Sequence, residues 1–380
     1  MLRKRQQSHT EAPATKDFPL AFVILAHNEW STLTELVTVL SAAPEDTVVV
    51  HVDRKVDQRR VKAFEDHFRN RPNVLVFSEV RCKWGGISLV DVTLRALEKL
   101  TRTGRPYSYV SLLSGVDYPI RPLAEFRYYL KASHGNEFIE AFSFYTQRWI
   151  KTGIYAERFE YVFPFARSGL LTYPFLLWYK LVEFIDLRRP MPKGFVPYSG
   201  SQWWTLTRGF IDWLQTSSES RELLQRMRTT FVPDEMYFQT LVMSSPFSDR
   251  VKFRNLRHIE WLRSGTPYTF KSGDFNRLAR SPQFFCRKIV KRHDIGFFRR
   301  INDDLVSGRR PRRRPKMARP SAQPVLPVAA TGPVGVARAD AASPLGRFRI
   351  RRLVRRTRVG VPIQAARVQD ALPRAFDPAE

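Results

Sequence analysis

Cysteine is scarce in this 380-residue chain, which contains only Cys82 and Cys286. Two cysteines cannot build a disulfide scaffold, and neither lies in the spacing of a metal-ligand set. The sequence therefore excludes the disulfide-stapled and zinc-finger classes. It favours two half-buried thiols in a reducing compartment.

Long apolar runs are also missing. No stretch reaches the roughly 18 uninterrupted apolar residues of a membrane-spanning helix, and residues 1–17 are polar, without the apolar centre of a signal peptide. The nearest approach, residues 170–185, is interrupted by Lys180 and Glu183. We interpret that segment as a buried helix, and a helix lying on a membrane surface is the alternative. This pattern predicts a cytoplasmic protein, with peripheral membrane contact as an option.

Acidic residues are heavily outnumbered, with 36 Asp and Glu against 63 Lys and Arg and a net charge of +27. Residues 308–380 hold 17 of the cations and only 4 acids, which leaves +14 on the first 307 residues. Such charge attracts nucleic acids, phosphate-bearing metabolites and acidic membranes. A protein that binds nucleic acid or an anionic membrane through its basic tail is therefore one candidate. Because no helix-turn-helix, RRM or zinc signature accompanies the charge, we expect no nucleic-acid partner.

Strand and helix patterns alternate in the first half of the chain. Apolar runs at 18–26, 47–52, 74–77 and 109–113 predict buried strands, and segments with helical spacing separate them. This rhythm predicts an α/β fold with a mostly parallel central sheet covered on both faces. Ligands bind beyond the carboxyl ends of strands in such sheets, so the polar residues that follow the strands are site candidates.

Polar residues stand at three of those strand ends: His27 and Asn28, His51 and Asp53, and Asp117. Asp53, in VVVHVDRK, can hydrogen-bond a uracil or ribose, or can serve as an ordinary helix N-cap. Position 51 is His, so an Asp-x-Asp metal pair is missing there. Asp117 lies in LLSGVDYPIRP, where a Ser-Gly turn, a carboxylate and two prolines occur close together. Packing alone does not readily explain this concentration.

Two further motifs join small residues to tryptophan. KWGGISLV places Trp84 and Gly85 before a predicted helix, and the free N–H groups at the start of that helix can bind a phosphate or a sugar hydroxyl. A Gly-Gly pair before a helix is also a common turn. YSGSQWWTLTR contains Gln202 and Trp203. A tryptophan face there can pack on a sugar, or one ring can belong to the core.

Two motifs near the end of the folded region carry charge. In FVPDEMYFQTLV, Pro with acids in the first turn is an ordinary helix start, or Glu235 projects into a cleft as a base. In SPQFFCRKIVKR, Arg287 and Lys288 can clamp a diphosphate or can form a solvated face.

Taken in order, seven motifs resemble one known family. HVDRK, WGGIS, LLSGVDYPIR, GSQWWTLTR, PDEMYFQT, PYTFKSGDF and FFCRK, between residues 22 and 289, are similar to those of the core 2 / I-branching β-1,6-N-acetylglucosaminyltransferases and protein O-xylosyltransferases, glycosyltransferase family 14. The resemblance implies a GT-A-like nucleotide-sugar fold, a UDP-sugar donor and inversion at the anomeric carbon.

The resemblance also implies roles for individual residues. Glu235 becomes the catalytic base, Asp53 contacts the uridine, and Arg287 and Lys288 bind the diphosphate. The remaining candidates are Trp84 and Gly85 in the donor pocket, and His27, Asp117, Gln202 and Trp203 as donor or acceptor contacts. Fixed cations can offset the diphosphate charge where the Asp-x-Asp pair is absent, so no metal or other cofactor is expected.

The transferred sugar is expected to be GlcNAc or xylose, and the acceptor a hydroxyl of a glycan or another molecule. Xylosyltransferases carry an acid where this chain has Gln202, whereas WGGIS and PYTFKSGDF are closer to the xylosyltransferase branch. The predicted organisation is a flexible segment over 1–17 and a glycosyltransferase domain over 18–300. That domain divides into a UDP-sugar half (18–140) and an acceptor and catalytic half (141–300). A largely disordered Pro/Ala/Arg-rich tail follows over 301–380, with a weak basic helix near 345–358.

Overall fold

The computed structural model describes residues 18–133, 135–144, 157–164, 172–263 and 265–308. The strands are β1 (Leu20–Ala26), β2 (Thr47–Val52), β3 (Val74–Phe77), β4 (Tyr109–Ser114), β5 (Asp117–Pro119), β6 (Glu137–Ile139), β7 (Phe142–Ser143), β8 (Tyr198–Ser199), β9 (Trp204–Thr207), β10 (Val251–Lys252), β11 (Arg257–Ile259) and β12 (Phe285–Arg287). The α-helices are α1 (Trp30–Leu40), α2 (Gln58–His67), α3 (Ser88–Arg102), α4 (Leu123–Ala132), α5 (Glu157–Glu160), α6 (Thr172–Phe184), α7 (Arg208–Thr216), α8 (Ser218–Met227), α9 (Tyr237–Met243), α10 (Phe275–Arg280) and α11 (Ile295–Arg300).

A seven-stranded sheet in the order β10-β6-β9-β4-β1-β2-β3 forms the centre of the described region. β1 pairs in parallel with β2 and β4, and β2 pairs in parallel with β3. β9 runs antiparallel to both β4 and β6, so the sheet is mixed rather than wholly parallel. The predicted α/β class with a mostly parallel central sheet is confirmed. A smaller sheet, in the order β11-β12-β5, lies outside it.

The central strands are buried on both faces, which explains their uninterrupted apolar sequence. Successive side chains of a strand point to opposite faces. Phe22 and Ile24 accordingly belong to one core cluster, and Ala21 and Val23 to the other. Because both faces are covered, a ligand can approach this sheet only at the loops that follow its strands.

The folded domain continues past residue 300, where the tail was predicted to begin. A π-helical turn spans Ile301–Val306, and its Ile301 and Leu305 side chains are buried in the core. Residues 1–17 and 309–380, with the predicted helix near 345–358, lie outside the described residues. The predictions for those segments stay predictions.

The interpretation of residues 170–185 as a buried helix is wrong for one of its faces. Phe175 and Val182 of α6 are buried, but Tyr173, Leu177 and Phe184 are all more than 70% exposed. The sequence pattern misled because both faces of this helix are apolar. Within the described residues, no helix is long and apolar enough to cross a membrane.

Both cysteines are unoxidised thiols, Cys82 half-buried and Cys286 fully buried. Burial raises the pKa of Cys82 to about 12 and raises that of Cys286 well above its usual value. Protonated, sheltered thiols of this kind are poor nucleophiles and poor metal ligands. The packing interpretation of these residues agrees with their surroundings.

Candidate active site

Asp53 stands at the edge where the parallel strands β1 and β2 end. Its backbone N–H donates to the carbonyl of Ala26 at 2.9 Å, which ties the two strand ends together. Its carboxylate accepts from the backbone N–H of Lys55 at 2.9 Å and lies 3.5 Å from the Lys55 Nζ. Helix α2 is capped instead by Asp57, whose side chain accepts from the N–H of Arg59. The alternative that Asp53 is the N-cap is therefore wrong, and its carboxylate remains at the sheet edge.

His27 lies near charged residues from both ends of the domain. Part of its ring reaches solvent, but the surrounding protein is dense enough that desolvation lowers its pKa. Asp53 opposes that shift, and Lys55, Arg287 and Lys288 add to it. The structure thus gathers the HVDRK and FFCRK motifs around one histidine, although more than 230 residues separate them in the sequence.

Asp117 is fully buried at the start of β5 and anchors two arginines. Its carboxylate accepts from the N–H and Oγ of Ser114 at 3.0 and 2.7 Å, and from the Nε of Arg257 at 3.1 Å. The Arg287 Nη1 lies 3.3 Å from the Asp117 Oδ1 and also donates to the Ser114 Oγ. Each carboxylate oxygen therefore has protein partners, and this network fixes the direction of the Arg287 side chain.

Trp203 joins a second motif to the same network. Its ring is 8% exposed and lies 4.8 Å from the guanidinium carbon of Arg287 and 5.5 Å from that of Arg257. Guanidinium groups at this distance are attracted to the face of an indole ring. The ring therefore supports the two arginines, and Gln202 lies half-buried beside it.

Positive charge exceeds negative charge at this edge. Lys288 is half-buried, and burial lowers its pKa, as does the neighbouring Arg287, while Glu29 opposes the shift. Lys55, Arg257, Arg287, Lys288 and Arg292 bring five cations, against four carboxylates from Glu29, Asp53, Asp117 and Glu140. An excess of positive charge held by buried contacts suits an anionic ligand.

The WGG loop packs against the segment that precedes Glu235. Gly85 has φ +71°, a left-handed conformation that favours glycine, and a Cβ there would lie 2.8 Å from the Phe231 ring. The Gly85 carbonyl accepts from the N–H of Val232 at 3.0 Å. Trp84 contacts Phe231 edge-on at 5.7 Å, yet remains 60% exposed. The loop therefore presents an indole face next to the PDE motif.

Glu235 ends a short 3-10 turn, Pro233–Glu235, and α9 begins two residues later. Its side chain is 34% exposed and accepts from the Arg158 Nη1 at 2.9 Å. Its backbone carbonyl accepts from the N–H of Gly200 at 2.9 Å, which holds the GSQWW segment beside it. The helix start fixes the backbone while the carboxylate stays accessible, as the base hypothesis requires.

Asp234 has the opposite environment. It is buried, and within the described residues its Oδ1 has no hydrogen-bond partner. Burial raises its pKa to about 7, and the nearby charge of Glu235 adds to the shift. Of the two adjacent acids, Glu235 is the more exposed and is the one paired with a guanidinium, so it is the stronger candidate for the base.

No metal-type cluster of three or more His, Cys, Asp or Glu side chains occurs in the part of the chain that the structure describes. The carboxylates of the cationic edge include Asp53 and Asp117, and the oxygens of Asp117 are occupied by protein donors. Metal independence stays a prediction.

The Core-2/I-branching enzyme family model matches residues 20–280, a range that contains most of this edge and ends just before β12. The chain belongs to the Core-2/I-branching enzyme family. The predicted family is thus confirmed.

Curated relatives of this Core-2/I-branching domain fall in two branches. Over 307 residues the chain is 27% identical to xylosyltransferase oxt of Drosophila melanogaster, in a match that covers 73% of this chain and 32% of that protein. It is also 26% identical to the N-acetyllactosaminide β-1,6-N-acetylglucosaminyl-transferase of Mus musculus, over 68% of this chain and 63% of that protein. The chain therefore spans about a third of the first relative and less than two thirds of the second.

Among solved structures, residues 1–349 of S. aureus TarS in complex with UDP align with a TM-score of 0.24 and 18% identity, over 46% of this chain and 50% of that one. A likeness this weak supports no inference about the Core-2/I-branching site.

Two arginines of this Core-2/I-branching site were missed from the sequence. Arg158 pairs with Glu235 but lies in ERFEYVF, where an alternation of charged and aromatic residues gives no functional signal. Arg257 is fully buried in the short strand β11, and burial lowers its pKa while Asp117 opposes the shift. The burial of an arginine suggests a functional or structural role, but it can be seen only in the structure and cannot be recognised from the sequence.

Proposed function

We propose that this chain is an inverting glycosyltransferase that moves GlcNAc or xylose from a UDP-sugar to a hydroxyl of a glycan or another acceptor. Glu235 is the base and no metal takes part. The observation that carries the proposal is the position of Glu235. Its carboxylate is 34% exposed and follows the segment that packs on the Trp84 loop, and the neighbouring GSQWW segment carries Trp203 of the cationic edge.

In this mechanism Glu235 accepts the proton of the acceptor hydroxyl. The hydroxyl oxygen then bonds to the anomeric carbon from the face opposite the UDP, and the bond from that carbon to the diphosphate oxygen breaks. Arg158 holds the carboxylate in place before the acceptor arrives, since its guanidinium donates to the Glu235 Oε2. The protonated Glu235 later returns its proton to solvent.

The departing diphosphate develops negative charge, and Arg287 and Lys288 are proposed to offset it. Preorganised cations stabilise such charge without having to reorient during the reaction. Asp117 and Trp203 contribute indirectly in this proposal, because they hold Arg287 from behind. Their predicted direct contact with donor or acceptor stays a prediction.

The uridine is assigned to the edge formed by Asp53 and His27. The Asp53 carboxylate can accept from a uracil N–H or a ribose hydroxyl, and the packed loops around it fix its position. The exposed indole of Trp84 is proposed to face the transferred sugar, with Gln202 as a further polar contact.

UDP release tests this function directly. The purified chain is incubated with UDP-GlcNAc, UDP-xylose, UDP-glucose or UDP-galactose, with hydroxyl acceptors, in the presence and absence of excess EDTA. We expect release from UDP-GlcNAc or UDP-xylose that survives EDTA. Release from none of the four donors contradicts the proposed function. An absolute Mn²⁺ requirement contradicts the metal-free clamp and redirects attention to Asp53 and Asp117.

A further inference from the structure

Helix α6 carries an apolar stripe on its outer face. Tyr173, Leu177 and Leu181 recur every four residues, and Phe184 and Ile185 continue the line by one more turn. These five side chains are between 48% and 88% exposed. A continuous row of this kind is uncommon on a protein surface, where large apolar residues are usually scattered singly.

The inner face of the same helix is already used for packing. Phe175 and Val182 are buried in a small aromatic cluster with Tyr161 and Phe163, and Phe231 packs against this cluster. The Trp178 Nε1 is directed inward as well, since it donates to the Val162 carbonyl. Rotation of the helix could therefore not hide the stripe without exposing the inner face.

Cations border the stripe. Lys180 lies beside it, and Arg188 and Lys193 follow the helix, all exposed. Some of this charge is paired within the protein, as in Lys180–Glu183 at 3.0 Å and the Arg188–Asp186 pair at 2.6 Å. The attraction to anions therefore depends on the net positive charge of the whole molecule, which is +14 on residues 1–307 and +27 in total.

We propose that the α6 stripe docks on an anionic lipid membrane. An apolar row on a helix that lies parallel to the surface inserts into the headgroup region, and a cationic body is attracted to acidic headgroups. An anionic lipid surface can accept both the apolar row and the positive charge of this chain. This proposal is independent of the transferase chemistry.

A second copy of the chain fits the stripe less well. Two molecules that each carry +27 repel one another. A stable protein interface also takes about 20–30 residues from each side, whereas the stripe is one row on a single helix. The basic tail of the same chain has the same charge as the body, so the charge argument also disfavours it as the partner.

Docking through α6 places the proposed site close to the lipid surface. Phe175 of α6 contacts Phe231 at a ring distance of 4.9 Å, and Phe231 contacts Trp84 at 5.7 Å. One aromatic ring therefore separates the helix from the WGG loop. An enzyme docked in this way would meet acceptors that are held at a membrane.

The test uses the full chain with vesicles of pure phosphatidylcholine, or of phosphatidylcholine with phosphatidylglycerol as a minor anionic component. The triple variant Leu177→Glu, Leu181→Glu and Phe184→Glu changes only exposed positions. We expect it to lose at least tenfold in affinity for the anionic vesicles. The control triple variant Phe253→Glu, Leu262→Glu and Ile295→Glu adds the same three negative charges at side chains that are between 48% and 53% exposed and lie outside the stripe, and it should lose far less affinity than the stripe variant. Thermal unfolding and UDP affinity verify that both variants are folded.

Three outcomes overturn the proposal. If the triple variant binds vesicles like the wild type, the contact lies elsewhere, and the basic tail becomes the membrane-binding element. If the wild type is a dimer that the triple variant converts to a monomer without a change in vesicle affinity, a second copy covers the stripe. If the charge-matched control weakens binding equally, the effect is one of net charge alone.

Discussion

At the residue scale, Asp234 and Glu235 are neighbours in the sequence but lie in different environments. Both are acids at the start of a helical segment, and the sequence pattern alone assigned neither to chemistry. The structure buries Asp234 and leaves Glu235 exposed beside Arg158. The environment of each carboxyl group, rather than its type, supports the choice of base.

Glu235→Gln keeps the size of the side chain and removes its basicity. We expect kcat to fall by about 10²–10⁴, the usual contribution of general base catalysis. The affinity for UDP should be nearly unchanged, because the proposed donor contacts are other residues. Steady-state kinetics and UDP titration measure the two effects. Wild-type turnover in a folded Glu235→Gln variant would move the base elsewhere.

Asp234→Asn is the matched control for Glu235→Gln at the neighbouring position. It should change the stability of the protein more than its turnover rate. The folded-state pKa of Asp234 is raised to about 7, above the usual 3.8, because burial penalises the charged form. The native state therefore loses stability as pH rises from about 4 to about 7, because the unfolded chain releases this proton while burial keeps the folded carboxyl protonated. The neutral amide avoids this loss.

The Asp234→Asn variant should accordingly gain Tm relative to the wild type between pH 5 and pH 8. We expect a relative gain of at least about 2 °C, the shift that roughly 1 kcal/mol produces in a domain of this size. Thermal unfolding at the two pH values measures it. An equal Tm difference at both values would show that the pKa of Asp234 is the same in the folded and the unfolded chain.

At the element scale, the strands were the most predictable part of the fold. β2 and β3 have the predicted bounds, and β1 begins two residues after the predicted start. Their apolar runs are uninterrupted because both faces are buried, and this constraint is local enough to read from sequence. The antiparallel strand β9 was not predicted, since its neighbours β4 and β6 are distant in the chain.

The clamp at the end of β12 can be tested as a unit. Replacing Arg287 and Lys288 with Ala should weaken UDP binding by about 1.5–3 kcal/mol for each charge-assisted hydrogen bond to the diphosphate that the change removes. The double variant Lys62→Ala and Arg69→Ala removes the same charge from exposed positions on and just after α2 and should leave UDP binding unchanged. Isothermal titration with UDP compares the two. Unchanged affinity in the folded clamp variant would make these residues a solvated face.

The WGG loop offers a second test with an internal control. Gly85 and Gly104 share a left-handed backbone, with φ +71° and +68°, so Ala at either position costs about 1–2 kcal/mol of strain. Only at Gly85 does the new Cβ also meet a side chain, the Phe231 ring at 2.8 Å. We expect Gly85→Ala to lower Tm further than Gly104→Ala and to raise the KM for the UDP-sugar. Equal effects of the two changes would show that the loop tolerates the displacement of Phe231.

At the scale of the whole molecule, the order of motifs was more informative than any one of them. HVDRK and FFCRK lie far apart in the sequence, yet charged side chains of both motifs lie near enough to His27 to shift its pKa. A single sequence does not reveal which distant segments meet, and only the resemblance linked these two motifs. Contacts without a motif, such as Arg158 with Glu235, could not be predicted at all.

The distribution of charge leads to the last prediction. Residues 308–380 hold a surplus of 13 positive charges, and the proposed site lies entirely within residues 27–288. A chain that ends at residue 308 should therefore keep its UDP affinity and its UDP-release rate. It should lose most of any binding to nucleic acid, which depends steeply on salt because cations on the protein release counterions from the phosphates. Titration of UDP and of a short DNA duplex at low and high salt, about 50 and 200 mM, compares the full and shortened chains. If shortening abolishes UDP binding as well, the tail belongs to the donor site, and the cationic edge around Arg287 is incomplete without it.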